Sequence, residues 1–249
     1  MLIVYRTDFA GRDEHVVDTY QIPGARYICF TDRTELPAPW EVHPPKVIFE
    51  CPRLTNIYHK LHPHKVLPPH SQSVYLNASV GLTKDPTPCL KSGFIAAHRH
   101  RLRNCLFEEA KFCRDAGIVT AEETKKQLDS YAGKVKERPT GLWETGALVR
   151  CVNHGSDLIG ELWWEHIKLY SERDQISLAY INTQFEQIVD IPGDFSNSEY
   201  FHFTPHGGPL PADPEEARRR FPNYMRRRDE WAANAKQSLQ AQEDAALLV

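Results

Sequence analysis

The stretch SVYLNASVGL, residues 73–82, contains the pattern that decides the fold of this chain. Val74 and Leu76 alternate as in a strand that enters the interior, and the strand ends in a polar step at residues 77–79. MLIVYRTDF (1–9) and ARYICFTD (25–32) follow the same plan, and their strands end in Thr-Asp pairs. Because the carboxyl ends of parallel strands meet at one edge of a sheet, these polar ends are expected to converge on a ligand. The alternative is that Asp8 and Asp32 only terminate their strands, as aspartate often does.

Strand and helix patterns alternate along the rest of the chain. Strands are predicted at KVIFE (46–50), SGFIAAHRH (92–100) and GLWETGALVRC (141–151), and helices at 55–63, 102–113, 120–132, 157–170 and 174–184. Thr120 and Glu123 have the spacing of a capping box. Ser156 or Asp157 is predicted to cap the following helix, and Asp174 the one after it. The alternation predicts an α/β fold with a mainly parallel central sheet.

The end of the chain has a different character. Asp213-Pro214, followed by two glutamates, is a typical helix start, and Pro222 ends that helix before a longer polar one. We therefore assign residues 1–210 to one domain and residues 211–249 to a helical C-terminal appendage. The arginine-rich stretch RRRFPNYMRRR (218–228) could contact nucleic acid or an acidic partner, and the alternative is a solvated helix face.

Composition excludes several classes of protein. With 30 basic and 33 acidic residues the net charge is −3, so the overall field does not favour nucleic acid. No apolar run approaches the roughly 20 residues of a membrane span. The six cysteines are scattered without a C-x-x-C pair, which is typical of reduced, buried thiols rather than of zinc ligands or disulfides. These features predict a cytoplasmic protein.

Four clusters of polar residues are candidates for a site. HKLHPHKVLPPH (59–70) supplies Lys60 and histidines that suit phosphate binding or a solvated polar turn. His100 and Arg103 precede a helix whose Glu109 could pair with an arginine or contact substrate. Asp174 beside Gln175 could orient a ligand or only cap its helix. His202 and His206, with Gly207 and Gly208, form a loop suited to a diphosphate or a metal, or a plain turn.

The order of these motifs is more specific than any one of them. IVYRTDFAGRDE, YICFTD, the Arg53–Lys60–Pro63-His64 series, YLNASV, His100-x-x-Arg103, GLWETGALVR and SERDQIS follow one another over about residues 2–205. This order resembles a family of glycosyltransferases long catalogued as a domain of unknown function. The family includes plant proteins linked to cell-wall mucilage, a protein described as an alkaline ceramidase, and bacterial and phage members. The resemblance implies the GT-A fold of nucleotide-sugar transferases.

The resemblance also implies roles for individual residues. Thr7, Asp8 and Asp32 would lie near the nucleoside, and Lys60 near the diphosphate. The RDQIS stretch is similar to a helix start in family 8 retaining glycosyltransferases, which would put Asp174 and Gln175 at the transferred sugar. Glu144 and Thr145 would line the cleft on the acceptor side. His206 would belong to a loop that touches metal and diphosphate.

The sequence departs from the family at the strand end with which this section began. Asn77 and Ser79 stand where many GT-A enzymes carry two carboxylates that bind Mn²⁺ or Mg²⁺. Neutral oxygens bind a hard cation more weakly than carboxylates do. One hypothesis is that Asp32, Asp174 or His206 helps Asn77 and Ser79 to hold the divalent cation. A second is that Lys60 and Arg103 replace it, and a third is that activity is lost.

The leading hypothesis is a glycosyltransferase that moves a sugar from a nucleotide sugar, with UDP favoured, to a hydroxyl of a glycan, lipid or protein. Asp174, Glu144 and Gln175 are its predicted catalytic residues, and retention of configuration follows if the family 8 similarity holds. One rival is a degenerate GT-A domain that binds a nucleotide or glycan without turnover. Another is a phage-type transferase acting on hydroxymethylated DNA bases. A hydrolase is not supported, because the sequence has no Ser/His/Asp or zinc signature.

Overall fold

A computed structural model describes residues 1–10, 17–91, 93–135, 139–195, 198–204 and 213–246. Its strands are β1 (Leu2–Asp8), β2 (Arg26–Thr31), β3 (Glu41–His43), β4 (Gln72–Asn77), β5 (Val80–Leu82), β6 (Ile95–His98), β7 (Ala147–Cys151), β8 (Ile188–Ile191) and β9 (Phe201–Phe203). Its α-helices are α1 (Pro52–Leu61), α2 (Pro63–Val66), α3 (Leu106–Asp115), α4 (Ala121–Tyr131), α5 (His154–Leu169), α6 (Asp174–Phe185), α7 (Pro214–Arg220) and α8 (Pro222–Ala246). A short 3-10 helix covers Thr87–Leu90.

Seven strands form the central sheet in the order β3-β2-β1-β4-β7-β6-β8. Strand β7 runs antiparallel to both of its neighbours, and all other pairings in this sheet are parallel. The carboxyl ends of β1, β2 and β4 therefore lie at one edge of the sheet, and the reversed β7 begins at that same edge. This architecture confirms the predicted α/β class with a mainly parallel central sheet.

The two faces of the sheet are covered differently. One hydrophobic core packs the sheet against α1, α3, α5, α6 and α8, with Leu61, Trp163 and Trp231 among its buried members. The other core packs strand residues against Trp40, β5 and the segment before β9. Burial on both faces explains the apolar run at residues 2–5 of β1, in which only Leu2 is partly exposed.

A small antiparallel ribbon of β5 and β9 lies beside the central sheet. SVYLNASVGL is therefore two strands in two sheets, with a turn between them. A Cβ added at Gly81 would lie 2.1 Å from the carbonyl oxygen of Asp18 and 2.2 Å from the His202 ring, so only glycine fits this contact. The predicted loop at 202–211 is wrong at its start, because Phe201–Phe203 is strand β9; residues 205–212 lie outside the described residues.

The predicted strand at KVIFE (46–50) is wrong, and the third strand is Glu41–His43 instead. Side chains of α1 satisfy the backbone of the KVIFE segment. The Lys46 amide donates to His59 Nε2 at 2.8 Å, and the Phe49 amide donates to Thr55 Oγ1 at 3.0 Å. These contacts leave the segment packed on the helix rather than paired with a strand. Strand β8 was not predicted.

Helix starts were predicted with mixed success. The Thr120–Glu123 capping box and the Asp213 cap are confirmed, and Pro222 begins α8. The prediction that Ser156 or Asp157 caps α5 is wrong, because the cap is Asn153, whose side chain accepts from the Ser156 amide. None of the described helices combines the length and the apolar character needed to cross a membrane. The six cysteines are free.

Candidate active site

A cleft of about 760 Å³ opens at the sheet edge where β4 ends and β7 begins. The Asn77 amide donates to the carbonyl oxygen of Gly146 at 2.8 Å, which joins the two strand ends. The cleft is lined by Arg53, Asn56, Ile57, Lys60, Tyr75, Asn77, Val80, Arg101, Glu144, Thr145, Gly146, Glu172, Arg173, Asp174, Gln175, Phe195 and Phe203. Six of the residues singled out from the sequence are therefore brought together: Lys60, Asn77, Glu144, Thr145, Asp174 and Gln175.

Asp174 is held by contacts from two other elements of the cleft wall. It is the first residue of α6 and its side chain does not cap the helix, so the capping prediction is wrong. Its Oδ2 accepts from Lys60 Nζ at 2.6 Å and from Thr145 Oγ1 at 3.0 Å. Burial tends to raise the pKa of Asp174, but the charges of Lys60 and Arg173 outweigh it, and the net pKa lies below its usual value. The side chain is therefore a fixed carboxylate.

Glu144 and Gln175 form a second polar pair in the cleft. Gln175 Nε2 donates to Glu144 Oε2 at 3.0 Å. Gln175 Oε1 is buried and has no hydrogen-bond partner among the described residues. A buried acceptor without a donor is costly to a folded protein, and a ligand hydroxyl would satisfy it. The cleft thus presents carboxylate and amide oxygens, which are acceptors for the hydroxyl groups of a sugar.

Residues 41–203 match the sequence profile of the family described as "TOD1/MUCI70, glycosyltransferase-like domain". The match covers more than half of the chain. The protein belongs to the TOD1/MUCI70 family. The family match confirms the resemblance identified from the sequence, and the mainly parallel sheet confirms the predicted α/β fold class.

Two solved structures are similar to this TOD1/MUCI70 domain at low sequence identity. The galactosyltransferase LgtC, in complex with donor and acceptor sugar analogues, is 13% identical over 94% of this chain and 96% of its own, with a TM-score of 0.43. The bifunctional glycosyltransferase WbbM is 12% identical over 77% of this chain, which spans 38% of WbbM, with a TM-score of 0.43. No curated protein sequence matches the chain. Similarity at this level does not assign a substrate to it.

Among the residues that the structure describes, the strand end predicted to hold a metal does not have a suitable donor set. Asn77 lines the cleft, but its Oδ1 already accepts from the Tyr75 hydroxyl at 2.9 Å. Ser79 is buried and does not line the cleft, and His206 lies outside the described residues. Within the described ranges no three His, Cys, Asp or Glu side chains are grouped to hold a metal ion. Hard cations prefer several carboxylate oxygens, so these residues do not fit Mn²⁺ or Mg²⁺.

The three residues predicted at the nucleoside do not line the cleft. Thr7 lies beneath it, with its Oγ1 3.2 Å from the Tyr75 hydroxyl. Asp8 accepts from Arg33 Nε at 2.7 Å, and Asp32 forms an ion pair with Arg227 of α8. Burial raises the pKa of Asp8, although Arg227 and Arg33 act against it. Both aspartates therefore have protein partners in this structure, and their contact with a nucleoside stays a prediction.

Arg103 also lies outside the cleft lining. It donates to Glu109, a fully buried carboxylate that also accepts from Arg173 at 2.9 and 2.8 Å. Two alternatives were predicted for Glu109: pairing with an arginine or contact with a substrate. In the structure it pairs with arginines. The network leaves Arg173, not Arg103, facing the cleft.

The histidine cluster after Lys60 lies away from the cleft. His64 and Lys65 contact Glu161 at 2.7 and 2.6 Å, and His62 lies 3.6 Å from the same carboxylate. Only Lys60 of the residues named in this cluster lines the cleft. Burial does not distinguish Lys60 from its neighbours, because His59 and His62 are buried as well.

Several cleft residues were not predicted from the sequence: Arg53, Tyr75, Arg101, Glu172, Arg173 as a lining residue, and Phe195. Tyr75 could have been found, because it shares a strand face with Asn77 two residues later. Phe195 has no such signal, since it comes from an irregular segment far along the chain.

Most arginines of the C-terminal helices form ion pairs with acidic residues of the same chain. Arg218, Arg220, Arg226 and Arg228 pair with acidic residues of α7 and α8, and Arg227 pairs with Asp32. This pattern is typical of a solvated helix face rather than of a nucleic-acid surface.

Proposed function

We propose that this protein transfers a sugar from a nucleotide-sugar donor, with UDP favoured, to a hydroxyl group of a glycan, lipid or protein. The observation that carries the proposal is the convergence of Asp174, Glu144 and Gln175 in one cleft of a glycosyltransferase-like domain. The cleft volume of about 760 Å³ suits a donor of this size. The free cysteines support work in a reducing compartment such as the cytoplasm.

Each of the three residues has a role that follows from its contacts. Asp174 is held ionised by Lys60 and Thr145, so it orients the hydroxyls of the transferred sugar and stabilises positive charge that develops on the ring. Gln175 Oε1 accepts from a further sugar hydroxyl, which satisfies its buried oxygen. Glu144, which Gln175 holds in place, lies on the acceptor side and serves as the base.

The transfer can be written as a balanced step. The bond between C1 of the sugar and the diphosphate oxygen breaks, and its electron pair stays on the diphosphate. The acceptor oxygen forms a new bond to C1, and its proton moves to the Glu144 carboxylate. The products are a nucleoside diphosphate and a glycoside, which has the donor's anomeric configuration if the family 8 similarity holds.

A donor panel tests this proposal. UDP-glucose, UDP-galactose, UDP-N-acetylglucosamine, GDP-mannose and a CMP-sugar are titrated by calorimetry, and release of free nucleotide is measured with and without sugar, lipid and peptide acceptors. We expect binding and turnover with at least one donor. Asp174→Asn and Glu144→Gln should lower kcat by about 100-fold or more.

The exposed Asp129 of α4 provides the matched control, since Asp129→Asn removes the same charge outside the cleft and should leave kcat unchanged. The proposal is contradicted if calorimetry detects no binding of any donor in the panel. Donor binding without nucleotide release, unaffected by Asp174→Asn, would instead indicate a non-catalytic binding domain.

A further inference from the structure

Four basic side chains and three carboxylates line the cleft. Its basic lining residues are Arg53, Lys60, Arg101 and Arg173. Three of these have carboxylate partners. Lys60 pairs with Asp174 at 2.6 Å, Arg53 with Glu172 at 3.2 Å, and Arg173 with the buried Glu109 at 2.8 Å. Their charges are therefore largely balanced by the protein itself.

Arg101 is the exception among these lining residues. Its side chain is exposed, and no hydrogen bond or ion pair joins it to another residue in the described parts of the chain. Its neighbours two positions away are both occupied: Arg99 stacks on Trp143 at 4.4 Å and binds Asp190, and Arg103 binds Glu109. In this run of alternating arginines, only the middle one is both unpaired and in the cleft.

The backbone that carries Arg101 is fixed on both sides. The His100 amide donates to the Leu142 carbonyl at 2.9 Å, and the Glu144 amide donates to the His98 carbonyl at 2.8 Å. The amides of Leu102 and Arg103 both donate to His100 Nδ1, at 3.2 and 3.0 Å. The guanidinium is thus carried by an anchored turn and not by a loose loop, which reduces the entropy lost when it binds a ligand.

We propose that Arg101 binds the diphosphate of the donor and takes the place of a divalent cation at this site. The inference rests on the proposed function. The donor set at Asn77 and Ser79 does not fit a hard cation, so the charge that balances the leaving group has to come from side chains. Lys60 and Arg103, the two cations suggested by the sequence, are held by Asp174 and Glu109.

A guanidinium is well suited to this role. It stays charged at all working pH values and donates up to two parallel hydrogen bonds to phosphate oxygens. As the bond from C1 to the diphosphate oxygen breaks, the electron pair and a full negative charge remain on the diphosphate, and Arg101 stabilises that charge without gaining or losing a proton. Arg53, whose pair with Glu172 is half exposed, can add a second contact.

Calorimetry with UDP, GDP and inorganic pyrophosphate in excess EDTA tests the inference directly. We expect the protein to bind at least one of these anions in EDTA, with little gain on adding Mn²⁺. Arg101→Gln should weaken binding about tenfold or more, and Arg101→Lys should restore part of it because the charge is kept but the paired donors are not. Pyrophosphate separates the diphosphate contribution from that of the nucleoside.

Arg219→Gln is the matched control, since Arg219 is exposed on α7, outside the cleft lining. Its binding should equal that of the unaltered protein. Binding that requires Mn²⁺, or equal binding by Arg101→Gln, overturns this inference but leaves the proposed function intact if nucleotide sugars still bind and turn over. Failure to bind any nucleotide sugar or diphosphate, with or without Mn²⁺, overturns both.

Discussion

The Nζ atom of Lys60 lies 2.6 Å from Oδ2 of Asp174, so an ion pair joins α1 to the first residue of α6 beside the cleft. Only 5% of the Lys60 side chain and 14% of the Asp174 side chain are exposed. Both charges are therefore largely removed from water, and each depends on the other. The same pair fixes the geometry of the proposed sugar site and contributes to the packing of two helices.

This mutual dependence predicts that the losses in free energy of unfolding are not additive in a double-mutant cycle. Lys60→Met alone or Asp174→Asn alone leaves a buried group without its partner and should lower the free energy of unfolding by about 3–5 kcal/mol. The double variant should be closer to the unaltered protein than the sum of the two losses, because no unpaired charge remains. Urea unfolding monitored by circular dichroism measures all three.

The exposed pair Lys125–Asp129 on α4 is the control for this cycle, with side chains 76% and 64% exposed. Lys125→Met should cost less than about 1 kcal/mol. Additive losses at Lys60 and Asp174 would mean that the two side chains contribute independently, contrary to the contact.

The C-terminal helix α8 provides a second prediction. Trp231 is 7% exposed, packs against Phe9 at 5.2 Å and donates from Nε1 to the Phe49 carbonyl at 3.1 Å. Trp231→Ala should therefore lower the free energy of unfolding by about 3–5 kcal/mol, measured by urea denaturation. Arg226→Ala, at a side chain 61% exposed on the same helix, should change it by less than about 1 kcal/mol.

Removing residues 211–249 tests the domain boundary predicted from the sequence. The truncated protein would expose Phe9 and would leave Asp8 and Asp32 near each other without Arg227. We expect it to unfold at a lower urea concentration than the full chain. Equal stability of the truncated and full chains would mean that 211–249 is an independent appendage.

Of the three polar strand ends predicted to converge, only the end of β4 lines the cleft, and the sequence prediction failed where partners come from far along the chain. Alternation and polar strand ends predicted β1, β2 and β4, and the cleft lies where β4 ends. The pairing of Asp32 with Arg227 could not be predicted, because it depends on where α8 packs. The local sequence does not distinguish an aspartate that binds a ligand from one that pairs with a distant arginine.

The same limit explains why Arg101 was missed and Arg103 was chosen. The two arginines are two residues apart in one polar segment, and local sequence gives them equal chances of facing a ligand. The difference between them is that Arg103 forms an ion pair with Glu109, which is buried on α3. Strand β8 was missed for a related reason: Ile188–Ile191 is short and only partly buried, and its identity as a strand comes from pairing with β6.

Glu109 gives a fourth prediction, which concerns the free energy of unfolding measured by urea denaturation. Its buried carboxylate accepts from Arg103 and Arg173, and those charges outweigh the effect of burial, so its pKa lies below the usual value. Glu109→Gln leaves two arginines facing a neutral amide and should lower the free energy of unfolding by about 3–5 kcal/mol. Glu108→Gln, on the exposed side of the same helix, is the control and should have little effect. A stable Glu109→Gln protein would contradict the network as described.

The fifth prediction concerns acid and two buried histidines, His59 of α1 and His62 directly after that helix. Burial lowers the pKa of His59 and of His62 to about 4 in each case. The His59 ring donates from Nδ1 to the Thr55 carbonyl and accepts at Nε2 from the Lys46 amide, so it has no room for a second proton. His62 donates from Nδ1 to the Tyr58 carbonyl, and the nearest carboxylate, Glu161, lies 3.6 Å from its Nε2.

The sign of the pH effect follows from these lowered values. Between the unfolded pKa near 6.5 and the folded pKa near 4, the unfolded chain binds protons that the folded protein excludes, so stability falls as the pH falls. From about pH 7 to about pH 5 the loss should reach roughly 2 kcal/mol for each ring. His59→Gln and His62→Gln should each remove part of this slope in urea unfolding, whatever their absolute stability. His154→Gln, at an exposed position, should leave the slope unchanged. If both buried variants keep the full slope, other groups carry the acid sensitivity, because glutamine binds no proton in either the folded or the unfolded state.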